Sequence, residues 1–393
     1  MHNVVILSAQ RTAIGGFLGS LSDLSPADLG TIAAKSAIAK AGVDPDSIEH
    51  SIFGHIITTS SADAYLARDI ALRSGLSITS GAMNVNRLCG SSVQAIISAM
   101  QMLQLGDCEL VLAGGAEVMS QGAYILPKIR KGLRFGHSSS TDLTIGILSD
   151  PFGSGHMGLT AERIAKEYGI TRQELDEYSL NSQSKAAIAQ NEFRFSEQIV
   201  PVKITKDGES FNFELDEHVK RKSTYEQLAQ LRPAFAQDGI VTAGNSSGLN
   251  DGAAALVLST QNYANTLGLR PLAKILGYSF AGVEPSLMGL GPIPAVKKLL
   301  NKTGINIKDI GVIESNEAFA AQAIAVAKDL GFSDEQVNPN GGAIALGHPV
   351  GATGAILLTK TVYELIRTSS RYGLVTMCIG GGQGIAILIE RCL

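Results

Sequence analysis

The sequence predicts an α/β protein built from two related halves, with a segment of different character inserted between them. Three observations carry this prediction. Strand-like and helix-like stretches alternate from the first residues onward, the pattern of layered α/β folds. Stretches of the second half resemble stretches of the first in the same order. The 393 residues also exceed what one ordinary hydrophobic core organises.

Residues 3–9 read as a strand. An amphipathic helix follows over 26–41, with Ser25 as its N-cap, Pro26 at its first position and Gly42 as its stop. Residues 51–57 read as the next strand, 63–74 as a helix, and 83–86 lead into VNRLCGSSVQAI, where a helix opens after Cys89. ELVLAGGAE (109–117) reads as a buried strand running into glycines.

The repeat then appears. GVDPDSIEHSIFGH (42–55) lines up with GINIKDIGVIESNE (304–317), and ELVLAGGAE with GLVTMCIGGGQ (373–383). VNRLCGSSVQAI faces VNPNGGAIALGHPVGATGAI in the same way. Residues 118–250 differ: an Arg/Lys/Ser-rich stretch (128–142), helix patterns at 159–168 and 172–191, and a charged DEHVKRKS. The expected division is 1–117 plus 251–270 as one half, 118–250 as an inserted loop domain, and 271–393 as the second half.

Composition narrows the function classes. Hydrophobic content of 45 % with 17 % charged residues describes a compact chain without a disorder signature. No apolar run reaches bilayer length, and the start lacks the basic-then-apolar pattern of a secretory signal, so neither membrane nor export is expected. Four scattered cysteines (89, 108, 378, 392) form no CxxC pair, which fits a reducing cytoplasm. A net charge of −4 argues against a general nucleic-acid partner. The seven histidines show no metal-ligand spacing with carboxylates.

Four residues stand out chemically. Cys89 precedes a helix start, where partial positive charge favours a thiolate; the competing reading is a small apolar filler. His348 sits in a turn held by Gly347, Pro349 and Gly351, although a lone His is more often structural. Cys378 ends an apolar strand before Gly380, Gly381 and Gly382, whose N–H groups are free to point at a ligand. Asn316 ends a strand over 311–315 above a helix over 317–330, where the ordinary role is N-cap. If the halves pack about a pseudo-twofold, these ends converge. Cys with His makes an activated nucleophile, and a second Cys can move a proton next to a carbonyl.

NRLCGSS, GGAEVMS, GHMGLTAE, TAGNSSGLNDGAAA, NEAFAAQA, NPNGGAIALGHPVGATGA and CIGGGQG occur in this order, and through them essentially the whole chain resembles the thiolase family. The resemblance implies the thiolase fold, a duplicated five-layer αβαβα sandwich with an inserted loop domain. It implies Cys89 as the nucleophile that accepts an acyl group from coenzyme A, His348 as the acceptor of its proton, and Cys378 as the group that moves the α-proton. His348 and Asn316, through a bound water, would form one oxyanion site; the N–H groups of Cys89 and Gly380 would form the other.

For coenzyme A, the resemblance implies contacts from His156 and Met157, a pocket lining of Leu231, Phe235, Ala243, Ser247 and Leu249, and Ala318 and Phe319 from the opposite half. Lys220, reinforced by Arg221 and Lys222, would lie near the adenine and 3′-phosphate, although such a run is usually a solvated face. Leu148, Met157 and Met288 would set the pocket's depth. Two departures are visible: Ser92 replaces a glycine common in relatives, and Gln227 replaces a smaller polar residue.

The expected activity is acetyl-CoA C-acetyltransferase: two acetyl-CoA give acetoacetyl-CoA plus CoA, reversibly, by a ping-pong route through acyl-Cys89. The alternative is a β-ketothiolase, a 3-ketoacyl-CoA thiolase of broader chain length, which NRLCGS and DPFGSGHMGLTAE resemble. A non-catalytic lipid-binding relative is disfavoured by the presence of Cys89, His348 and Cys378. A decarboxylating ketoacyl synthase is disfavoured by Asn316, which stands where a second His belongs. The resemblance further implies substrates that are CoA thioesters (acetyl-CoA, acetoacetyl-CoA or another 3-ketoacyl-CoA), no permanently bound cofactor, and a homodimer, or a homotetramer in which dimers pair through a loop near 120–145. The terminal IERCL carries no SKL-type address, in keeping with a cytoplasmic protein.

Overall fold

The first helix, α1 (Pro26–Ala41), shows how local sequence places an element. Ser25 and Asp28 form a reciprocal capping box at its start, and Gly42 at φ 68° ends it in the left-handed conformation. The computed structural model describes residues 2–206 and 208–392, so the outer limits of the expected halves, 1 and 393, lie outside the described residues.

Strand β1 (Val4–Arg11) and α1 are followed by β2 (His50–Gly54), α2 (Leu66–Arg73), β3 (Gly81–Val85), α3 (Ser91–Leu105) and β4 (Leu110–Val118). The intervening segment contributes α4 (Met157–Tyr168) and α5 (Arg172–Asn191). The chain continues through β5 (Asn250–Thr260), β6 (Ala273–Gly282), α6 (Pro292–Thr303), β7 (Ile310–Ser315), α7 (Ala320–Leu330), α8 (Thr353–Thr368), β8 (Tyr372–Ile379) and β9 (Gln383–Arg391).

The strands lie in the order β7-β8-β9-β6-β1-β5-β4-β2-β3. Outward from the centre, β1/β5 and β5/β4 pair antiparallel and β4/β2 parallel. The second half repeats those senses in β6/β9, β9/β8 and β8/β7. The two sets meet where β1 pairs β6, at Val5–Lys274 and Ile6–Ala273. Helices α1 and α2 cover the outside of the first set, α6 and α7 the outside of the second, and α3 with α8 fill the middle, giving five layers.

Alternation along the strands builds two cores at once. Val4 and Ile6 of β1, with Ala254, Leu256 and Leu258 of β5, face the α3/α8 layer. Val5 and Leu7, with Ala253, Ala255 and Val257, face α1. Each fully buried Leu or Ile there contributes about 2 kcal/mol. Ser92 of α3 accepts the Ala355 N–H in the first turn of α8 (2.9 Å), where the cap residue Ala352 offers no side-chain bond. The Ser92 departure thus ties the middle helices of the two halves together.

Some boundaries differ from the sequence expectation. The strand over 51–57 ends at Gly54, because the N–H groups of Ile56 and Ile57 leave the ladder for the Glu117 carboxylate. The helix over 63–74 begins as a 3₁₀ turn, Ser61–Tyr65. The helix expected from 317 starts at Ala320, since Ser247 N–H bonds to Ala318 O (3.0 Å) and Ala320 N–H to Asn245 O (2.9 Å), holding Phe319 extended. Helix α4 packs on the second half: Met157, Ala161 and Ile164 join Met288, Ala318, Phe319 and Cys378 in one apolar cluster. Among the described residues, no helix is long and apolar enough to cross a membrane, and no three His, Cys, Asp or Glu side chains group to hold a metal.

Candidate active site

Cys89 occupies a turn that the local sequence locks. Leu88 has φ 47°, a left-handed conformation costing a leucine about 1–2 kcal/mol. Its N–H donates to Asn86 Oδ1 (3.0 Å), while Ser91 Oγ accepts from Arg87 N–H (2.9 Å) and donates to Leu88 O (2.6 Å). Helix α3 begins two residues after Cys89.

His348 is fixed from several sides. Its backbone N–H donates to Asn250 Oδ1 (2.9 Å), and the Asn250 amide fills the space a Cβ on Gly347 (φ 109°) would need. The Thr353 hydroxyl commits its one proton to Pro349 O (2.9 Å) and lies 2.6 Å from His348 Nδ1. Both contacts are satisfied when Nδ1 carries the imidazole proton and donates to Thr353 Oγ1, leaving Nε2 as the acceptor. Nε2 faces the Asn316 Nδ2–H at 3.3 Å.

Asn316, at the end of β7, donates its backbone N–H to Thr376 O (3.0 Å). Its Oδ1 is buried with no partner among the described residues. Asn316 is no helix cap: α7 is preceded by Phe319, without a side-chain cap. Strand β8 carries Cys378 to its end, and Gly381 and Gly382, at φ 79° and 81°, turn the chain into β9.

These ends meet in one pocket. Cys89, His348, Cys378 and Gly380 line it, together with Ile56, Leu88, Ile147, Leu148, Met157, Ser247, Met288, Ala318, Phe319 and Val350. The apolar lining sets the electrostatics. Burial pushes the Cys89 thiol up to about 11, against the pull of the Gly380 and Cys89 N–H groups, and the nearby Glu117 charge adds to the rise. Burial, reinforced by Cys89, raises Cys378 well above the usual thiol range. Burial lowers His348 to about 4. The thiolate expected from the helix start is therefore corrected: desolvation outweighs the helix end, and the resting thiol is protonated. A neutral imidazole beside protonated thiols can take a proton only as an attack proceeds, while two backbone N–H groups stand ready for negative charge.

Eight of the fifteen residues expected to be catalytic or to bind coenzyme A line this pocket: Cys89, Met157, Ser247, Ala318, Phe319, His348, Cys378 and Gly380; Leu148 and Met288, expected to set its depth, line it too. Asn316 stands behind His348, and Leu249 packs in one apolar cluster with Cys89. His156 stacks on Phe235 (4.8 Å between ring centres, 19° between planes), and Phe235 meets Phe319 edge-on at 5.9 Å, so an aromatic row leads outward. Lys220, Leu231 and Ala243 are exposed and do not join the lining. Arg221 is tied to Gln190 Oε1 (3.0 Å), and Gln227 is engaged in a capping box with Thr224. Sequence reasoning missed Ile56, Leu88, Ile147, Val350, Asn250 and Thr353. Thr353 gave a signal, a hydroxyl five residues after His348 in a glycine-rich turn; apolar Ile56 and Val350 gave none.

Comparison with known proteins identifies the family. The family profile "Thiolase, N-terminal domain" matches residues 4–262, and "Thiolase, C-terminal domain" matches 269–391. Over 391 residues and 99 % of both chains, the sequence is 49 % identical to beta-ketothiolase BktB of Cupriavidus necator. Over 394 residues and 100 % of both chains, it is 48 % identical to acetyl-CoA acetyltransferase of Escherichia coli. The crystal structure of the Bacillus anthracis acetyl-CoA acetyltransferase matches with a TM-score of 0.97 at 44 % identity, covering 100 % of this chain and 99 % of that one. Human mitochondrial 3-ketoacyl-CoA thiolase in complex with CoA matches with a TM-score of 0.96 at 38 % identity, covering 100 % and 98 %. With full-length identity of this size and both profiles matched, the chain belongs to the thiolase family.

Proposed function

We propose that the protein is an acetyl-CoA C-acetyltransferase that condenses two acetyl-CoA to acetoacetyl-CoA plus CoA, and runs the reverse thiolysis, through an acetyl group on Cys89. The observation that carries the reading is the shared pocket of two cysteines, an imidazole whose Nε2 is unprotonated, and the Gly380 backbone. Full-length relatives named acetyl-CoA acetyltransferase support it.

Proton bookkeeping gives each residue a role. Cys89 attacks the thioester carbonyl as its proton passes to His348 Nε2, and the N–H groups of Cys89 and Gly380 receive the oxyanion. The departing CoA thiolate takes the proton of Cys378. Free CoA, acetyl-Cys89, a Cys378 thiolate and a His348 imidazolium remain. The buried Cys378 thiolate, strongly basic because its thiol titrates so high, removes the α-proton of a second acetyl-CoA. The enolate oxygen rests against imidazolium and Asn316, whose unpartnered Oδ1 suits a water donor. The carbanion attacks the acetyl carbon, and the departing Cys89 thiolate recovers its proton from His348.

In this reading His156, Met157, Phe235, Ser247, Leu249, Ala318 and Phe319 hold the pantetheine arm, and Lys220, Leu231 and Ala243 meet the nucleotide outside. The three-part division at 118 and 250, and an assembly of two or four copies in the cytoplasm, belong to the same proposal. The assembly is supported by exposed Tyr124, Ile125, Leu126, Ile129, Leu133 and Phe135 within 120–145.

The test is turnover of acetoacetyl-CoA with CoA, followed by loss of enolate absorbance and by chromatography. The reading expects two acetyl-CoA per acetoacetyl-CoA consumed and parallel double-reciprocal lines. Cleavage of longer 3-ketoacyl-CoA with none of acetoacetyl-CoA, or no turnover at all, would overturn it.

A further inference from the structure

We infer that Glu117 is a positioning residue for this reaction: one buried carboxylate fastens the pocket wall beside Cys89 to the loop that carries His348. The inference rests on the acyl-transfer reading and adds residues that reading does not use.

Glu117 is the penultimate residue of β4 and is fully buried. Its Oε2 accepts from Ile56 N–H (3.2 Å) in the first half and from Gly351 N–H (2.9 Å) in the second. Its Oε1 accepts from Ile57 N–H (3.0 Å) and lies 3.1 Å from His55 Nδ1. The side chains of Ile56 and Val350, on the two joined segments, both line the pocket with Cys89.

The approach is tight. A Cβ on Gly351 would fall 2.4 Å from Glu117 Oε2, so the loop backbone reaches the carboxylate at a position where a side chain would collide. Beyond His55 the row continues: Asp63 Oδ2 lies 3.4 Å from His55 Nε2 and accepts from the N–H groups of Thr59 (2.6 Å) and Ser60 (3.1 Å). Burial opposes a charge on His55, but Glu117 and Asp63 outweigh it and raise His55 to about 10, so an imidazolium sits between two carboxylates.

A buried carboxylate tolerates no loss of donors, because an unmatched charge there is strongly destabilising. Ile56 and Gly351 therefore cannot shift independently. His348 lies three residues before Gly351, so Glu117 Oε2 ties the loop that carries it directly to the wall beside Cys89. A misplacement of about 1 Å between reacting groups can lower a rate about 100-fold.

The test compares wild type, Glu117→Gln and His55→Gln. Glutamine replaces one accepting oxygen with an amide that cannot accept from the N–H groups facing it. The measurement is acetylation of Cys89 by acetyl-CoA, quenched in time and read by intact mass, beside KM for acetyl-CoA and the melting curve. In Glu117→Gln the acetylation rate should fall about 100-fold. In His55→Gln it should fall about tenfold, with KM within about twofold of wild type in both. Rates within about twofold of wild type in folded variants, or KM rising in step with the loss of rate, would overturn the inference. If Glu117→Gln does not fold, His55→Gln decides by the same criteria. Absence of acetylation in wild type would overturn the acyl-transfer reading instead, which keeps the two failures apart.

Discussion

Four strands of each half of the sheet pair in the same senses, yet their ends are finished differently. The first half presents Cys89 in a strained turn with partial exposure. The second presents His348, Asn316 and Cys378, which are 5 %, 1 % and 1 % exposed. The nucleophile has to meet and release a large thioester, so it sits at the reachable surface of the pocket. The proton-handling groups have to hold fixed protonation states, and burial supplies that by keeping His348 neutral and Cys378 weakly acidic. Duplication gives matched strand ends; the turns beyond them decide which end reacts and which handles protons.

The contrast can be broken most severely at His348. His348→Asn removes the proton acceptor and should lower the acetyl-transfer rate by about 10²–10⁴. A loss below tenfold would move the base elsewhere. The same variant tests the burial argument. His348 falls from an ordinary 6.5 to about 4 on folding, so the folded chain binds fewer protons between those values. That share of stability is present above pH 6.5 and is lost as pH falls toward 4. Acid melting of His348→Asn should be flatter across that window.

The next effect concerns the thiol. With Cys89 near 11, alkylation of free enzyme by iodoacetamide should rise about 100-fold between pH 8 and pH 10. A plateau below pH 8 would restore the helix-start thiolate and contradict the role given to burial.

Thr353→Val sharpens the comparison within the second half. It removes the acceptor for the His348 Nδ1 proton at nearly constant shape and should slow acetyl transfer about tenfold, with the fold retained. An unchanged rate would mean that Thr353 does not set the tautomer. The smallest effect is at the seam between halves. Ser92→Gly removes the acceptor for Ala355 N–H and should destabilise the protein by about 1 kcal/mol in denaturant unfolding, with turnover little changed.

Much of this was legible because it is local. Ser25, Pro26 and Gly42 bracket α1 by cap chemistry that acts within a few residues. Cys89, His348, Cys378 and Gly380 stood out because they lie at strand ends or helix starts in matching parts of two similar halves, which implied their convergence. Contacts between distant segments were not legible. Ile56 and Val350 look like any apolar residues, and the bonds joining Glu117 to Ile56 and Gly351 span 61 and 234 positions. The ionisation of Cys89 was misread for the same reason: the helix end is visible in sequence, whereas the apolar shell around the sulfur is assembled by both halves. Asn316 was ambiguous between cap and site until Phe319 proved extended, with its neighbours Ala318 and Ala320 bonded to Ser247 and Asn245.

The most direct test of the central claim is the intact mass of wild type after brief exposure to acetyl-CoA, then after free CoA, beside Cys89→Ala. The account predicts one acetyl adduct on wild type, its discharge by CoA, and a loss of at least about 10⁴-fold in turnover with no adduct in Cys89→Ala. An adduct that persists in Cys89→Ala, or a wild type that turns over substrate without ever carrying acetyl, would contradict it.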